Sequence, residues 1–129
     1  MVACGATQMA LDTLLLEQLI AGQQAPTLRF YRWQPIAISL GYHQKDWPQH
    51  WRALSFNGQS VDLVRRPSGG RAVMHQGDLT YAIALPMTGS RDSAYQQLCD
   101  ALIAAWQRFG VALDYGRAGG SYRHQANCF

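Results

Sequence analysis

The feature that most constrains the fold is a glycine pair, Gly69-Gly70, set between two runs that are typical of β-strands. VDLVRR (61–66) carries its apolar residues on one face, and AVMH (72–75) follows after the segment PSGGR. The alternation and the β-branched residues predict strands on both sides. Glycine tolerates backbone conformations that other residues avoid, so the pair predicts a sharp corner between the two strands.

The same corner has a chemical interpretation, because arginines flank it. Without a Cβ, glycine lets backbone N–H groups approach a ligand closely, and Arg66 and Arg71 can hold an anionic group through paired hydrogen bonds. The corner therefore predicts a cradle for a phosphate or carboxylate, with a simple hairpin turn between solvated arginines as the alternative. It is not a P-loop, since GxxxxGK[ST] is missing and no helix follows directly.

The rest of the chain predicts an α+β fold. Apolar residues at helical spacing predict helices over 9–21 and from Ser90 or Asp92 to Phe109, with a short helix capped by Asp46 between them. Extended runs predict strands at 27–33, 35–42, 61–66, 72–75, 78–86 and 111–116. Short connections between strands favour a mixed, mainly antiparallel sheet with helices packed on it.

Charge and cysteine content exclude several function classes. Eleven basic against eight acidic residues give a net charge of +3, too weak to indicate a nucleic-acid partner. No apolar run is long enough to predict a membrane span, and no secretory signal is evident. The three cysteines, Cys4, Cys99 and Cys128, are odd in number and lack a CxxC pair, which predicts a reduced, cytoplasmic protein without a disulfide framework or a metal site.

The stretch RRPSGGRAVMHQGDLTYAIAL (65–85) resembles the signature of the lipoate–protein ligase and octanoyltransferase family, which contains the biotin/lipoate A/B protein ligase catalytic domain. MALDTLLLEQL (9–19) is similar to the first helix of that family, and TLRFYRWQPIAISLGYHQ (27–44) to its first strand pair. The resemblance implies a class II synthetase-like fold. It also implies that residues 1–129 are the N-terminal part of a single catalytic domain, truncated at its C-terminus.

Two departures from the ligase pattern favour the branch of cysteine-dependent octanoyltransferases. Arg71 stands where simple ligases have a third glycine, and the chain ends in a Cys-Phe pair, Cys128-Phe129, that resembles the nucleophile of that branch. The matched motif implies catalysis by Cys128. It also implies acyl or adenylate binding by a set of corner residues, Arg66, Ser68, Gly69, Gly70, Arg71, Ala72, Val73 and His75.

The resemblance also implies substrates and partners. Octanoyl-acyl carrier protein would supply the acyl group, and the acceptor would be the lysine of lipoyl domains of 2-oxoacid dehydrogenases or of the glycine cleavage H protein. The transferase reaction would need no cofactor. A thiolate suits this chemistry because it attacks thioesters readily, and the charge of His75 or His124 is a candidate for lowering the pKa of the Cys128 thiol.

Two alternatives stay open. One is an ATP-dependent lipoate–protein ligase, which would use ATP and Mg²⁺ and bind an adenylate at the glycine corner. The other is a non-catalytic fragment, or one half of a split enzyme, that binds acyl groups or lipoyl domains. The second alternative draws on a departure from the family: Lys45, the only lysine, precedes the glycine corner, whereas the family places its catalytic lysine after the region where this chain ends. The isolated chain is therefore expected to turn over poorly.

Overall fold

The computed structural model describes residues 1–87 and 89–115. They divide into two compact units, of which the first covers Met1–Leu85 and the second begins at Pro86. The first unit holds one α-helix, one 3₁₀-helix and all the strands of the described residues. In chain order these are β1 (Val2–Ala3), α1 (Gly5–Ile20), β2 (Thr27–Trp33), β3 (Ala37–Leu40), the 3₁₀-helix (Gln49–Ala53), β4 (Ser55–Phe56), β5 (Gln59–Ser60), β6 (Asp62–Arg65), β7 (Val73–His75) and β8 (Thr80–Ala84).

Helix α1 begins at Gly5, four residues before the predicted start. The backbone N–H of Gly5 donates to Asp62 Oδ2 at 2.7 Å, so the carboxylate that receives the first turn comes from 57 residues further along the chain. A Cβ on Gly5 would lie 2.9 Å from Val64 Cγ1, which shows how closely the helix start packs on β6. The local sequence could not reveal this start, because its partner is brought there only by folding.

The strands form a mixed α+β arrangement, which confirms the predicted fold class. Strand β2 pairs in parallel with β1 and antiparallel with β8. Strand β3 is the centre of a second three-stranded sheet, parallel to β6 on one side and antiparallel to β7 on the other. The two-residue strands β4 and β5 form a small hairpin around Asn57-Gly58.

The glycine corner is therefore not a hairpin turn. Strands β6 and β7 lie on opposite sides of β3, so the chain crosses from one edge of this sheet to the other between Arg66 and Ala72. In the register of the sheet, Ser39 of β3 lies between Val64 and Val73. The corner consequently passes the end of the central strand, where residues of β3, β6 and β7 meet.

Strand β3 separates the core of this unit into two faces. Ala37 packs with Met9 of α1 and with Tyr31 and Trp33 of β2. The next residue along the strand, Ile38, packs on the opposite face with a second apolar cluster, which contains Leu40, Ala72 and the partly buried Trp47, Trp51, Leu54, Val61 and Leu63. Because side chains alternate along a strand, Ser39 is directed to the same face as Ala37.

Two predicted elements differ in the structure, and the predicted long helix is present. The short helix is a 3₁₀-helix that follows Pro48 and is not capped by Asp46, because proline fixes the extended backbone that precedes its first turn. The second unit contains α2 (Arg91–Gln107), where Ser90 Oγ accepts a hydrogen bond from the N–H of Ser93 at 3.1 Å. Residues 111–115 form no strand, so that part of the prediction was wrong.

In the described parts of the chain, no helix is both long and apolar enough to span a bilayer.

Candidate functional site

A cavity of about 420 Å³ lies between α1, β2, β8 and the start of the glycine corner. Its wall combines apolar side chains with a group of polar ones. The apolar residues include Met9, Leu15, Leu16, Trp33, Val73, Tyr81 and Ile83, and the polar ones are Asp12, Ser39, Arg66, Ser68, His75 and Thr80. Such a combination is typical of sites that bury an apolar ligand and orient it through a few polar contacts.

Arg66 ties the corner to the central strand. Its Nη1 donates to the carbonyl oxygen of Ser39 at 2.7 Å and to Ser39 Oγ at 3.1 Å. Its Nη2 donates to the carbonyl oxygens of Gly69 at 2.9 Å and Arg71 at 2.6 Å. One planar guanidinium thus holds the end of β3 and both sides of the corner, a geometry that lysine cannot reproduce.

The glycine corner needs a true glycine at its second position. Gly70 has φ 90°, and a Cβ on it would lie 2.9 Å from Arg66 Nη2. The corner is also held from the β3 side, because the N–H of Tyr42 donates to the carbonyl oxygen of Ser68 at 2.9 Å. This contact holds the corner against the loop that follows β3.

His75 connects the central strand to the segment before β8. Its Nε2 lies 2.8 Å from Ser39 Oγ, and its Nδ1 lies 2.9 Å from Asp78 Oδ2. The ring is buried and stacks on Trp33, with centroids 4.1 Å apart and planes inclined by 16°. The three side chains of Ser39, His75 and Asp78 form one continuous hydrogen-bonded line.

Thr80 completes this arrangement. Its hydroxyl donates to Asp78 Oδ2 at 2.8 Å and accepts from Trp33 Nε1 at 2.7 Å, so the carboxylate and the indole are fixed by the same side chain. Burial raises the pKa of the Asp78 carboxyl, but the hydrogen bonds from His75 and Thr80 outweigh it and leave the pKa below its ordinary value. Asp78 is therefore ionised at neutral pH and accepts the Nδ1–H of His75.

A second polar group lies on the α1 side of the cavity. Asp12 Oδ1 pairs with Arg29, and Asp12 Oδ2 accepts from the Tyr31 hydroxyl at 2.9 Å. Arg29 also donates to Gln8 and lies 4.0 Å above the Tyr31 ring. Burial, followed by the hydrogen bond to Asp12, raises the pKa of the Tyr31 phenol. The Arg29 and Asp12 side chains are almost buried, at 12% and 10% exposed respectively.

The structure brings some of the predicted site residues together. Arg66, Ser68, Val73 and His75 line the cavity. The other corner residues, Gly69, Gly70, Arg71 and Ala72, are not among the residues of its wall. Ala72 is buried in the apolar cluster of Ile38 and Leu40.

Arg71 combines a backbone role with an unsatisfied side chain. Its carbonyl oxygen accepts from Arg66, as described above, while its Nη1 is buried without a hydrogen-bond partner among the described residues. Cys128 and His124 lie outside the described residues. Cys4 and Cys99 are free thiols.

Sequence reasoning missed Ser39, Asp78, Thr80, Trp33 and the Asp12–Arg29 pair. Ser39 and Trp33 carry no motif, because their role depends on the pairing of β3 and on the stacking of a ring from β7. Asp78 had a local signal, since it stands three residues after His75 across the turn Gln76-Gly77, where a carboxylate can reach back to the imidazole. Among residues 1–87 and 89–115, no three His, Cys, Asp or Glu side chains are grouped so as to hold a metal ion.

Residues 5–124 match the family described as the lipoyl protein ligase A/B catalytic domain. The octanoyltransferase LipM of Moorella thermoacetica is 37% identical over 131 residues, which cover 95% of this chain and 48% of that protein. The LipM of Oceanobacillus iheyensis is 35% identical over 96% of this chain and 47% of its own length. The chain thus spans about half the length of the curated relatives it matches.

Solved structures show the same fold. A bi-partite lipoate protein ligase from Thermoplasma acidophilum superposes with a TM-score of 0.66 at 26% identity, over 90% of this chain and 46% of that one. Protein Ta0514 of T. acidophilum gives a TM-score of 0.70 at 24% identity, over 98% of this chain and 53% of that one.

Proposed function

Because this chain belongs to the lipoyl protein ligase A/B catalytic domain family, we propose that it serves the transfer of an octanoyl group to a lysine of a lipoyl domain. The observation that carries the proposal is the 37% identity with an octanoyltransferase, LipM, along nearly the whole chain. The cavity supports it, since an apolar wall beside a cluster of polar groups suits an acyl chain that ends in a carbonyl.

In this proposal Cys128 is the nucleophile. Its thiolate attacks the octanoyl thioester of acyl carrier protein, and the acyl group passes from one sulfur to another. The lysine amine of the lipoyl domain then attacks the acyl-enzyme, and the amide is released. Backbone N–H groups at the exposed Gly69-Gly70 would bind the developing oxyanion, and Arg66 holds this corner by donating to the carbonyl oxygen of Gly69.

The ATP-dependent ligase is the second candidate, and one side-chain atom favours it. The buried Nη1 of Arg71 has no hydrogen-bond partner among the described residues, and a phosphate or carboxylate would supply one. The corner residues Gly69, Gly70 and Arg71 would then hold the adenylate, and ATP with Mg²⁺ would be substrates of the activation step.

Intact-mass spectrometry after mixing the chain with octanoyl-acyl carrier protein tests the proposal. We expect one added octanoyl group on the wild-type chain, none on Cys128→Ser, and an unchanged adduct on the matched variants Cys4→Ser and Cys99→Ser. An adduct that persists in Cys128→Ser contradicts the assignment of Cys128 as the nucleophile. A lipoyl domain modified only in a parallel sample with lipoate, ATP and Mg²⁺ supports the ligase instead. A folded chain that binds a lipoyl domain and leaves it unmodified in both samples supports the non-catalytic alternative.

A further inference from the structure

The line Ser39–His75–Asp78 has a defined direction of hydrogen bonding. Asp78 is ionised at neutral pH and accepts, so the proton on a neutral His75 ring lies on Nδ1. His75 Nε2 is then an acceptor. The Ser39 hydroxyl donates its hydrogen to this nitrogen, with Oγ and Nε2 2.8 Å apart. The arrangement fixes His75 as a base whose lone pair is aimed at a hydroxyl group.

Ser39 Oγ retains acceptor capacity while its hydrogen is engaged by His75. A serine hydroxyl has two lone pairs, and Arg66 Nη1 donates to one of them at 3.1 Å. No contact among the described residues uses the second lone pair, and Ser39, although only 1% exposed, is part of the cavity wall together with His75. A molecule in the cavity that presents an N–H or O–H group could therefore reach the base through this hydroxyl.

We propose that Ser39, His75 and Asp78 form a proton relay that opens on the cavity through the Ser39 hydroxyl and accepts the proton released in acyl transfer to an amine. The proposal rests on the proposed function for its substrate, an acyl thioester attacked by a lysine amine. Ser39 touches the substrate, His75 is the base, and Asp78 is a positioning residue that holds the imidazole in the required tautomer.

The step balances without any further reagent. The neutral amine nitrogen forms a bond to the thioester carbonyl carbon and becomes positively charged. It gives one proton to Ser39 Oγ while the hydroxyl proton moves to His75 Nε2. The carbon–sulfur bond then breaks, the thiolate leaves with the electron pair, and His75 returns the proton to that sulfur through Ser39. The products are an amide and a thiol.

The surroundings of His75 balance charge around the relay. Asp78, from the segment before β8, and Asp12, from α1, contribute negative charge beside the cavity. Arg66, after β6, and Arg29 of β2, which pairs with Asp12, contribute positive charge. Tyr31 of β2 stays neutral because its pKa is raised. Trp33 stacks on the ring and fixes its plane, so protonation of His75 requires no movement of the imidazole.

Two measurements on the full chain test the relay. The first is the nitrogen-15 NMR spectrum of the imidazole, which distinguishes the two neutral tautomers; the His75 signals are assigned by their loss in His75→Gln. The second is the single-turnover rate of transfer from the acylated chain to a lipoyl domain, followed against pH. The variants are Ser39→Ala, Asp78→Asn and Ser39→Thr, which keeps the hydroxyl, with Ser60→Ala and Asp46→Asn as matched controls at exposed positions.

We expect the Nδ1–H tautomer in the wild-type chain and a smaller share of it in Asp78→Asn. The logarithm of the wild-type transfer rate should rise with pH with slope one, because the substrate amine must lose its proton to react. Ser39→Ala and Asp78→Asn should be about 100-fold slower. Ser39→Thr should restore the rate that Ser39→Ala loses, while both controls behave as wild type.

An Nε2–H tautomer in the wild-type chain overturns the relay, whether or not the chain transfers acyl groups. So does a Ser39→Ala variant that acquires the acyl adduct and transfers it at the wild-type rate. A wild-type chain that acquires no adduct contradicts the proposed function instead, and the tautomer then decides the relay separately. If Ser39→Ala does not fold, the transfer rate of Asp78→Asn is compared with the wild-type rate instead. The Asp78 side chain is the most exposed of the three residues, so its replacement disturbs the packing least.

Discussion

The backbone of Gly41 lies directly against the carbonyl group of Gly70: a Cβ on Gly41 would stand 1.8 Å from the Gly70 oxygen and 2.7 Å from its carbon. Gly41 immediately follows β3, and Gly70 is the bend of the glycine corner. The close approach requires glycine on the β3 side for reasons of space, whereas Gly70 also requires it for its positive φ. Two glycines far apart in sequence thus define one contact.

Gly41→Ala should displace the corner. The added methyl group meets backbone atoms, which cannot rotate away as a flexible side chain would, and we expect a loss of about 1–3 kcal/mol in the free energy of unfolding. Urea unfolding measures it. Gly69→Ala is the matched control, because nothing lies within 4 Å of its added Cβ, and it should lose no stability. Equal unfolding midpoints for both variants would show that the corner moves freely.

Arg66→Lys should destabilise the same corner from the other side. An ammonium group cannot make the four hydrogen bonds that the guanidinium makes to Ser39, Gly69 and Arg71, so at least one of these acceptors loses its partner. We expect a loss of about 1.5–3 kcal/mol, as for one hydrogen bond to a charged group. Thermal unfolding gives the comparison with Arg52→Lys, an exposed arginine that should change by less than about 0.5 kcal/mol. Similar losses in both would contradict the assigned role.

Asp12→Asn should be among the most destabilising single changes near the cavity. It removes the charge that compensates Arg29, whose side chain is 12% exposed, and an unpaired buried charge costs about 3–5 kcal/mol. The exposed Asp114→Asn is the control. Chemical denaturation of both variants checks the prediction, and a loss below about 1 kcal/mol for Asp12→Asn would mean that solvent reaches Arg29.

Acid should weaken the fold partly through Asp78. The pKa of its carboxyl lies below the ordinary 3.8 in the folded chain, so the ionised form stabilises folding above that pH, and the contribution is lost as pH falls through the folded-state value. The difference in unfolding free energy between wild type and Asp78→Asn should therefore be constant near neutrality and shrink below pH 3.8. A difference that stays constant through the acid range would contradict the lowered pKa.

The sequence was most informative where structure is local. β2 matches its predicted bounds, the predicted long helix is α2, and the glycine corner occupies its predicted place, because periodicity and glycine act over a few residues. The hairpin alternative for the corner was wrong, because strand order is decided by distant pairing. Ser39 shows the limit most clearly: a serine in an apolar strand gains its partners only when β6 and β7 take their places beside it.

The crossover of the corner also links folding to ligand binding. Since β6 and β7 are separated by β3, a partly folded chain that has lost the central strand has lost the junction of Ser39, Arg66 and His75 as well. A ligand of this cavity therefore binds only the chain in which this sheet is fully formed. Ligand present at 100 times its dissociation constant should raise the free energy of unfolding by about 2.7 kcal/mol, so a melting curve can identify the substrate before any turnover is observed.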